Sequence, residues 1–428
     1  MKSSLGNLNR LGADDFLSLS NQVFFMKGKP MLFSLALMFL IGLGLGKIFE
    51  KIKLPKLIGM ILTGMILGPH ALNLLDDKIL LISSDLRQLA LVIILIRAGL
   101  NLDIKDLKRV GRPALLLSFI PALFEIIGYM ILGPLLLGLS LVDAALLGSV
   151  IAAVSPAVIV PKMLKLKEKG WGTRQLVPQL VMAGASMDDV FVIVLFTSLL
   201  SLSITGSITS LTWIQLPSSI IMGIIGGIVV GKLLSWWFTR FHIRDSGKFM
   251  IMVSVAFLLL ALKQINLSYL AFSGLIAIMI LGATFQIEKP EVARRLSIKF
   301  SKLWLASEVI LFVLVGASVS LAHLSGVGLN SILLIGLSRM IRISGVLISL
   351  IKTNYSFKER IFIGLAYIPK ATVQAAIGGI VLSLNHPLGQ LILSTAVLSI
   401  LIAAPLGAWL IDHYYSILLS QDLDKDKI

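Results

Sequence analysis

The sequence predicts an all-α polytopic membrane protein of about 13 transmembrane helices, built as two inverted repeats with two discontinuous crossing helices. Three observations carry this. The 428 residues are 57% hydrophobic and only 14% charged, with a mean hydropathy of +0.96, outside the range of soluble globular chains. Lys and Arg fall in alternate loops. Two spans, seven apart in the chain, carry prolines where a simple helix would not want them.

Residues 1–29 are polar and mixed, and their apolar piece from Phe16 to Met26 is too short to span. They are expected to form an interfacial helix or tail. The segment does not resemble a cleaved signal peptide, because no small-residue cleavage site follows the first long apolar run. The transmembrane domain is expected over residues 30–416, followed by a cytoplasmic tail at 417–428. Its spans fall near 30–48, 55–69, 86–100, 112–138, 141–164, 175–203, 213–237, 247–263, 267–285, 301–322, 329–351, 358–383 and 387–415.

Orientation follows from the loops. Lys47, Lys51, Lys53 and Lys56 follow the first span; Lys105, Lys108, Arg109 and Arg112 follow the third; Lys162, Lys165, Lys167, Lys169 and Arg174 follow the fifth. The pattern repeats after spans seven, nine and eleven, whereas the loops after even-numbered spans are nearly free of Lys and Arg. The odd loops and the C-terminus are therefore expected on the cytoplasmic side of the cell membrane. Lys2, Arg10, Lys27 and Lys29 run against an outside N-terminus, and an extra N-terminal spanning helix is the alternative. The formal net charge of +16 is thus mostly a topology signal and not a nucleic-acid footprint.

The fifth span reads Ala153-Val154-Ser155-Pro156-Ala157-Val158-Ile159-Val160-Pro161 and the twelfth Ala366-Tyr367-Ile368-Pro369-Lys370-Ala371-Thr372. Proline removes an N–H and frees the carbonyl four residues back, here those of Ala152, Ala157 and Leu365. In lipid such groups need partners, so broken helices survive only inside protein or beside water. Glu125 lies thirty residues before Ser155, and Arg342 twenty-eight before Lys370. Each broken span therefore follows a span with one buried charge, of opposite sign in the two halves. An odd offset of seven spans makes the two units inverted, the pattern of secondary transporters.

The sixth span carries Gly184-Ala185-Ser186-Met187-Asp188-Asp189-Val190 near its middle. A carboxylate at mid-membrane costs roughly 2.5–3.5 kcal/mol on insertion scales, so two together call for an ion or proton site. Buried charges are tolerable when paired. The expected pairs are Glu125 with Arg342, and Lys370 with Asp188. Asp189 is then left without a fixed counter-ion. A carboxylate so placed in a low-dielectric cavity takes up a proton or a metal cation, and competition for one group gives exchange. Freed carbonyls and the Ser155 hydroxyl are expected to complete an oxygen shell for a hard cation, held transiently by Asp189 and Asp188. Arg97 and Glu308 lie toward cytoplasmic ends where they can snorkel. Arg339, one turn from Arg342, has no assignable partner. No resident cofactor is expected: with no Cys and five His without ligand spacing, the chain offers no structural metal site.

At these residues the chain resembles the monovalent cation/proton antiporter superfamily. It is most similar to the paired-aspartate sodium/proton exchanger branch, solute carrier family 9 subfamily B and its bacterial relatives. The likeness rests on Val154-Ser155-Pro156-Ala157-Val158, on Gly184 to Asp189, on Leu365 to Ala375, and on Arg342 at the family's spacing before that block; it covers roughly residues 30–415. The resemblance implies a homodimer in which a six-helix core (about 112–203 and 329–415) slides as an elevator. A dimer scaffold (about 30–100 and 247–322) and a linker helix (about 213–237) would complete the unit. It implies that Asp189 carries cation and proton, that Asp188 matches Lys370, and that Glu125 and Arg342 form the core bridge. Electrogenic relatives carry Lys at the Arg342 position, and a guanidinium does not release its proton, which favours electroneutral Na⁺ (or Li⁺)/H⁺ exchange.

Other readings are a K⁺/H⁺ antiporter, a channel, and a sodium-coupled organic-anion symporter of similar fold, since half-helix N-termini attract anions. An intramembrane aspartyl protease needs two carboxylates sharing a proton across a gap, and adjacent residues of one helix splay apart instead. Gly223 to Gly231 lacks the context of a nucleotide loop and reads as helix-packing glycine. An enzyme is not expected.

Overall fold

A computed structural model describes residues 30–102, 109–205, 210–262, 272–319 and 321–422. The expected N-terminal segment 1–29 and the last residues of the tail, 423–428, lie outside them. Seventeen helices are described: α1 (Met31–Lys51), α2 (Lys56–Leu67), α3 (Asp77–Leu81), α4 (Ser83–Leu100), α5 (Arg112–Leu117), α6 (Ile120–Leu137), α7 (Leu141–Ala152), α8 (Pro156–Glu168), α9 (Val177–Thr205), α10 (Ser210–Arg240), α11 (Asp245–Ala261), α12 (Gly274–Glu288), α13 (Pro290–Ala317), α14 (Leu321–Ser349), α15 (Phe357–Ala366), α16 (Thr372–Ser383) and α17 (Gly389–Leu418). Among the described residues eight helical stretches are long and apolar enough to cross a membrane, with shorter apolar helices between them. The count of thirteen crossings remains an expectation: the spans expected near 55–69, 86–100, 247–263, 267–285 and 358–383, described as α2, α4, α11, α12 and α15/α16, are not among the eight. Large apolar side chains stand outward on the long helices, among them Leu40 on α1, Leu135 on α6, Trp236 on α10 and Met340 on α14, as a lipid-facing surface requires.

The helices sort into two packed groups. In one, α6 lies along α14, α7 packs on α6 and α9, and α17 packs on α14, α15 and α16. In the other, α2 lies along α1 and α13, and α4 along α12 and α13; α10 runs along α12. The groups touch where α16 meets α4 and α13. Small residues set the closest crossings of the second group. A Cβ at Gly64 would overlap the Val313 carbonyl, and one at Gly316 would overlap that of Ile61, so α2 and α13 meet backbone to backbone. Gly99 and Gly282 do the same for α4 and α12.

Local chemistry starts and stops the elements that matter. Ser140 caps α7, its hydroxyl accepting from the Asp143 amide at 3.1 Å. Pro156 occupies the first turn of α8, where a missing N–H costs nothing. Ser356 and Glu359 form a reciprocal capping box on α15. The two broken spans thus appear as α7/α8, parted at residues 153–155, and α15/α16, parted at 367–371. α17 runs to Leu418, two residues into the expected tail, and the following residues dock on the α8–α9 loop. There the Gly172 amide donates to the Ser420 carbonyl at 2.8 Å and Asp422 accepts from the Arg174 amide at 2.7 Å.

Candidate functional site

The two breaks are fastened to each other. The Ser155 amide donates to the Pro369 carbonyl at 3.0 Å, so the extended stretches meet directly. Gln374, in the first turn of α16, accepts the Ala371 amide at 2.9 Å and donates through its amide nitrogen to the Ile151 carbonyl at 3.2 Å and to that of Ala153. The Ala152 carbonyl accepts from both Lys370 and Arg342. Two donors occupy both lone pairs of that oxygen. The freed Ala152 and Ala153 carbonyls are therefore committed to side chains of the other repeat, which corrects the expectation that the Ala152 carbonyl serves a cation shell.

Six buried charges gather at the crossing: Glu125 on α6, Asp188 and Asp189 on α9, Arg339 and Arg342 on α14, and Lys370 at the second break. Arg342 Nη1 donates to Glu125 Oε2 at 2.9 Å, which is the predicted pair. Lys370 does not pair with Asp188: its ammonium donates to Glu125 Oε2 at 2.7 Å. Asp188 instead faces Arg342 Nη2, 3.3 Å from each carboxylate oxygen, and accepts the Val154 amide at 2.7 Å. Glu125 is thus a hub, and the reason is geometric. It sits where α6 lies along α14, within reach of the break between α15 and α16. Arg339 completes it, 3.7 Å from Glu125 Oε1 and donating to the Ser399 hydroxyl at 3.1 Å. Arg339 and Arg342 are three apart, so they share one helix face.

Asp189 stands apart from this network. It is buried, forms no ion pair among the described residues, and its Oδ1 accepts no hydrogen bond. The Ser155 hydroxyl at the first break and the Thr372 hydroxyl at the second are also buried and without partner. Pro156 and Pro369 flank these positions, while Pro161 sits inside α8 one turn further on. An unmet buried carboxylate oxygen and two unmet hydroxyls are hard-oxygen donors of the kind that hold an alkali cation. Sequence reasoning passed over Gln374 and Thr372. The signal was a Gln and a Thr in the first turn of an otherwise apolar half-helix. Glu308 does not snorkel: it is buried and takes the half-exposed Lys56 ammonium at 2.7 Å.

The chain can now be set beside known proteins. The family model for sodium/hydrogen exchangers, transmembrane, matches residues 35–412. The chain is 33% identical to human sodium/hydrogen exchanger 9B2 over 402 residues, covering 89% of this chain and 74% of that protein. It is 32% identical to human sodium/hydrogen exchanger 9B1 over 425 residues, covering 93% and 80%. Among solved structures it is similar to the sodium proton antiporter MjNhaP1 of Methanocaldococcus jannaschii. There the TM-score is 0.78 at 22% identity, over 90% of this chain and 96% of that one. The fold is that of the sodium/proton antiporters, and the relatives are transporters rather than enzymes. A multi-pass membrane protein with paired inverted units, two crossing breaks and a carboxylate pair at their meeting point, this chain belongs to the sodium/hydrogen exchanger family.

Proposed function

We propose that the chain exchanges Na⁺ or Li⁺ for H⁺, with the two ions competing for Asp189. The observation that carries this reading is the isolation of that one carboxylate. Each of the other five charges at the crossing has a partner of opposite sign, whereas Asp189 is buried with an unmet oxygen. Ser155 and Thr372 are the remaining candidate ligands, with Asp188 holding the network in place through Arg342. Glu125, Arg342 and Lys370 serve as structural charges.

Charge balance supports one-for-one, electroneutral exchange. With all six groups ionised, three carboxylates offset three cations. A proton on Asp189 leaves the cluster with one excess positive charge, and so does one Na⁺. The two loaded forms thus cross with the same charge, and neither is favoured by the membrane potential. Arg342 cannot release a proton to change this count. Alternating access by an elevator movement fits the two packed helix groups, with the core group carrying the site past the scaffold group in a homodimer in the cell membrane, C-terminus cytoplasmic.

The test is exchange in proteoliposomes with an internal pH dye. A step of Na⁺ or Li⁺, with no organic solute, is expected to move internal pH equally with the potential free or clamped at zero. A response only to K⁺ would replace the cation, and a response needing an organic anion would replace the reading itself.

A further inference from the structure

The two half-helices that follow the breaks are equivalents in the inverted repeat, yet they are packed differently. α8 lies toward the Lys-rich loops, packs on α9 and α17 of its own group, and leaves Ala157 and Pro161 exposed. α16 lies toward the opposite face and packs across the seam on α4 and α13 of the other group. Nine of its twelve residues are buried, against four of thirteen in α8. The seam between the groups is therefore shut on the face opposite the Lys-rich loops. A cation is buried in that seal. Arg87, in the second turn of α4, is 5% exposed, and its guanidinium lies over Gly379 of α16, where a Cβ would come within 3.1–3.3 Å of Nε, Cζ and Cδ. Nη1 donates to the Ser318 hydroxyl at 2.9 Å, whose own proton goes to the Leu314 carbonyl at 2.8 Å. Nε is buried without a partner, and the side chain forms no ion pair among the described residues. Asp85 is exposed and two residues away, hence on another face of α4. Glu308 of α13 is taken by Lys56, and α16 carries no charged residue.

We propose that Arg87 sets the cation affinity of the face opposite the Lys-rich loops: α16 covers it while the seam is shut, and opening the seam uncovers a fixed positive charge that drives the bound ion off Asp189. The proposal rests on the exchange reading. A buried cation without a carboxylate is costly, and packing alone gives no reason to keep one there. A guanidinium does not lose its proton, so the charge is present in every state. The inverted repeat supplies the other state. With the roles of α8 and α16 exchanged, α16 leaves α4, and Arg87 looks onto the opened path. Thr372, which stands with Asp189 among the candidate ligands, lies seven residues before Gly379 on α16, about 10 Å along the helix. At such a separation and an effective dielectric of about 20, repulsion between unit charges is worth about tenfold in affinity. The same charge disfavours Na⁺ and H⁺ alike. It therefore changes how tightly each is held on that face and leaves the one-for-one ratio as it is.

The test is sided. Right-side-out membrane vesicles present the face opposite the Lys-rich loops, and inverted vesicles present the other. The Na⁺ concentration for half-maximal exchange is measured on each at alkaline pH, where protons do not compete. Arg87→Met should lower it about tenfold on the face opposite the Lys-rich loops and leave the other face within about twofold. Arg87→Lys, which keeps the charge, should behave as wild type. Ser318→Asp sets a carboxylate beside Arg87 and cancels the charge without removing it, so it should reproduce Arg87→Met; it also carries the measurement if Arg87→Met fails to fold. Equal shifts on both faces, or a lower maximal rate with no shift on either, would mean that Arg87 only packs the seam, and would overturn the proposal. A second arm reads the uncovering itself. The chain has no Cys, so Arg87→Cys offers a membrane-impermeant maleimide a single thiol. Labelling is expected from the face opposite the Lys-rich loops; labelling from the other face alone, or from neither, overturns the uncovering. Wild-type vesicles without Na⁺/H⁺ exchange would instead sink the exchange reading, while the labelling still reports whether the seam opens.

Discussion

Glu125→Gln is the sharpest test of how the deep charges are arranged. Glu125 takes Lys370 at 2.7 Å, Arg342 at 2.9 Å and Arg339 at 3.7 Å, all within protein. Removing one partner of a buried pair costs about 3–5 kcal/mol, because the other charge is left without compensation. Here three cations lose their shared acceptor, and two of them keep only the Ala152 carbonyl and Asp188 as partial substitutes. The expected loss is therefore in that range, a drop in melting temperature on the order of 10 °C in a thermal denaturation assay of purified protein. A double-mutant cycle then tells the pairings apart. Glu125→Gln with Lys370→Met should recover part of the loss, with a coupling of about 1–3 kcal/mol, whereas Asp188→Asn with Lys370→Met should couple more weakly. A larger coupling for Asp188 with Lys370 than for Glu125 with Lys370 would refute the hub and restore the pairing that the sequence suggested.

Three further outcomes follow. Asp189→Asn should abolish exchange in proteoliposomes while melting no lower than wild type, because the carboxylate it removes has no ion-pair partner to strand; turnover near wild type would end the proposal. Protons and cation compete for one group, so the Na⁺ concentration for half-maximal rate should rise as pH falls, by up to about tenfold per pH unit once protons fill the site. A flat dependence would mean two separate sites. Gly184→Ala places a Cβ on the Tyr367 hydroxyl, which is buried without a hydrogen-bond partner. The single variant should lose about 1–3 kcal/mol, and adding Tyr367→Phe should restore most of it. If melting curves show no rescue, the clash lies in the backbone rather than in that hydroxyl.

Much of this arrangement was legible in the residues. Pro156 and Pro369 announced both breaks, because proline cannot continue a helical ladder. Opposite charges on the spans preceding them announced the inverted repeat, and with it the Glu125–Arg342 pair. The partner of Lys370 was not legible, since an amine on a four-carbon stem can reach either of two carboxylates and only the crossing geometry selects Glu125. Arg339 was half legible: its spacing from Arg342 gives a shared face, but not which way that face turns. The fate of the Ala152 and Ala153 carbonyls was hidden as well. Whether a freed carbonyl meets a cation or a side chain depends on what the other repeat brings within 3 Å, and here it brings Arg342, Lys370 and Gln374. Length alone picks out eight of the thirteen expected crossings, since helices such as α2, α12 and α16 are short, and a short helix buried in a bundle carries no length signal of its own.

The even balance of carboxylates and cations around Asp189 also bears on valence. A calcium or magnesium ion seated on Asp189 would leave two uncompensated positive charges in a region of low dielectric, where a sodium ion leaves one. Such ions also ask for six or more oxygens, and this crossing has already spent two of its backbone carbonyls on its own side chains. On the proposed reading, divalent ions are therefore expected to be rejected by the count of fixed charges, before ligand spacing enters.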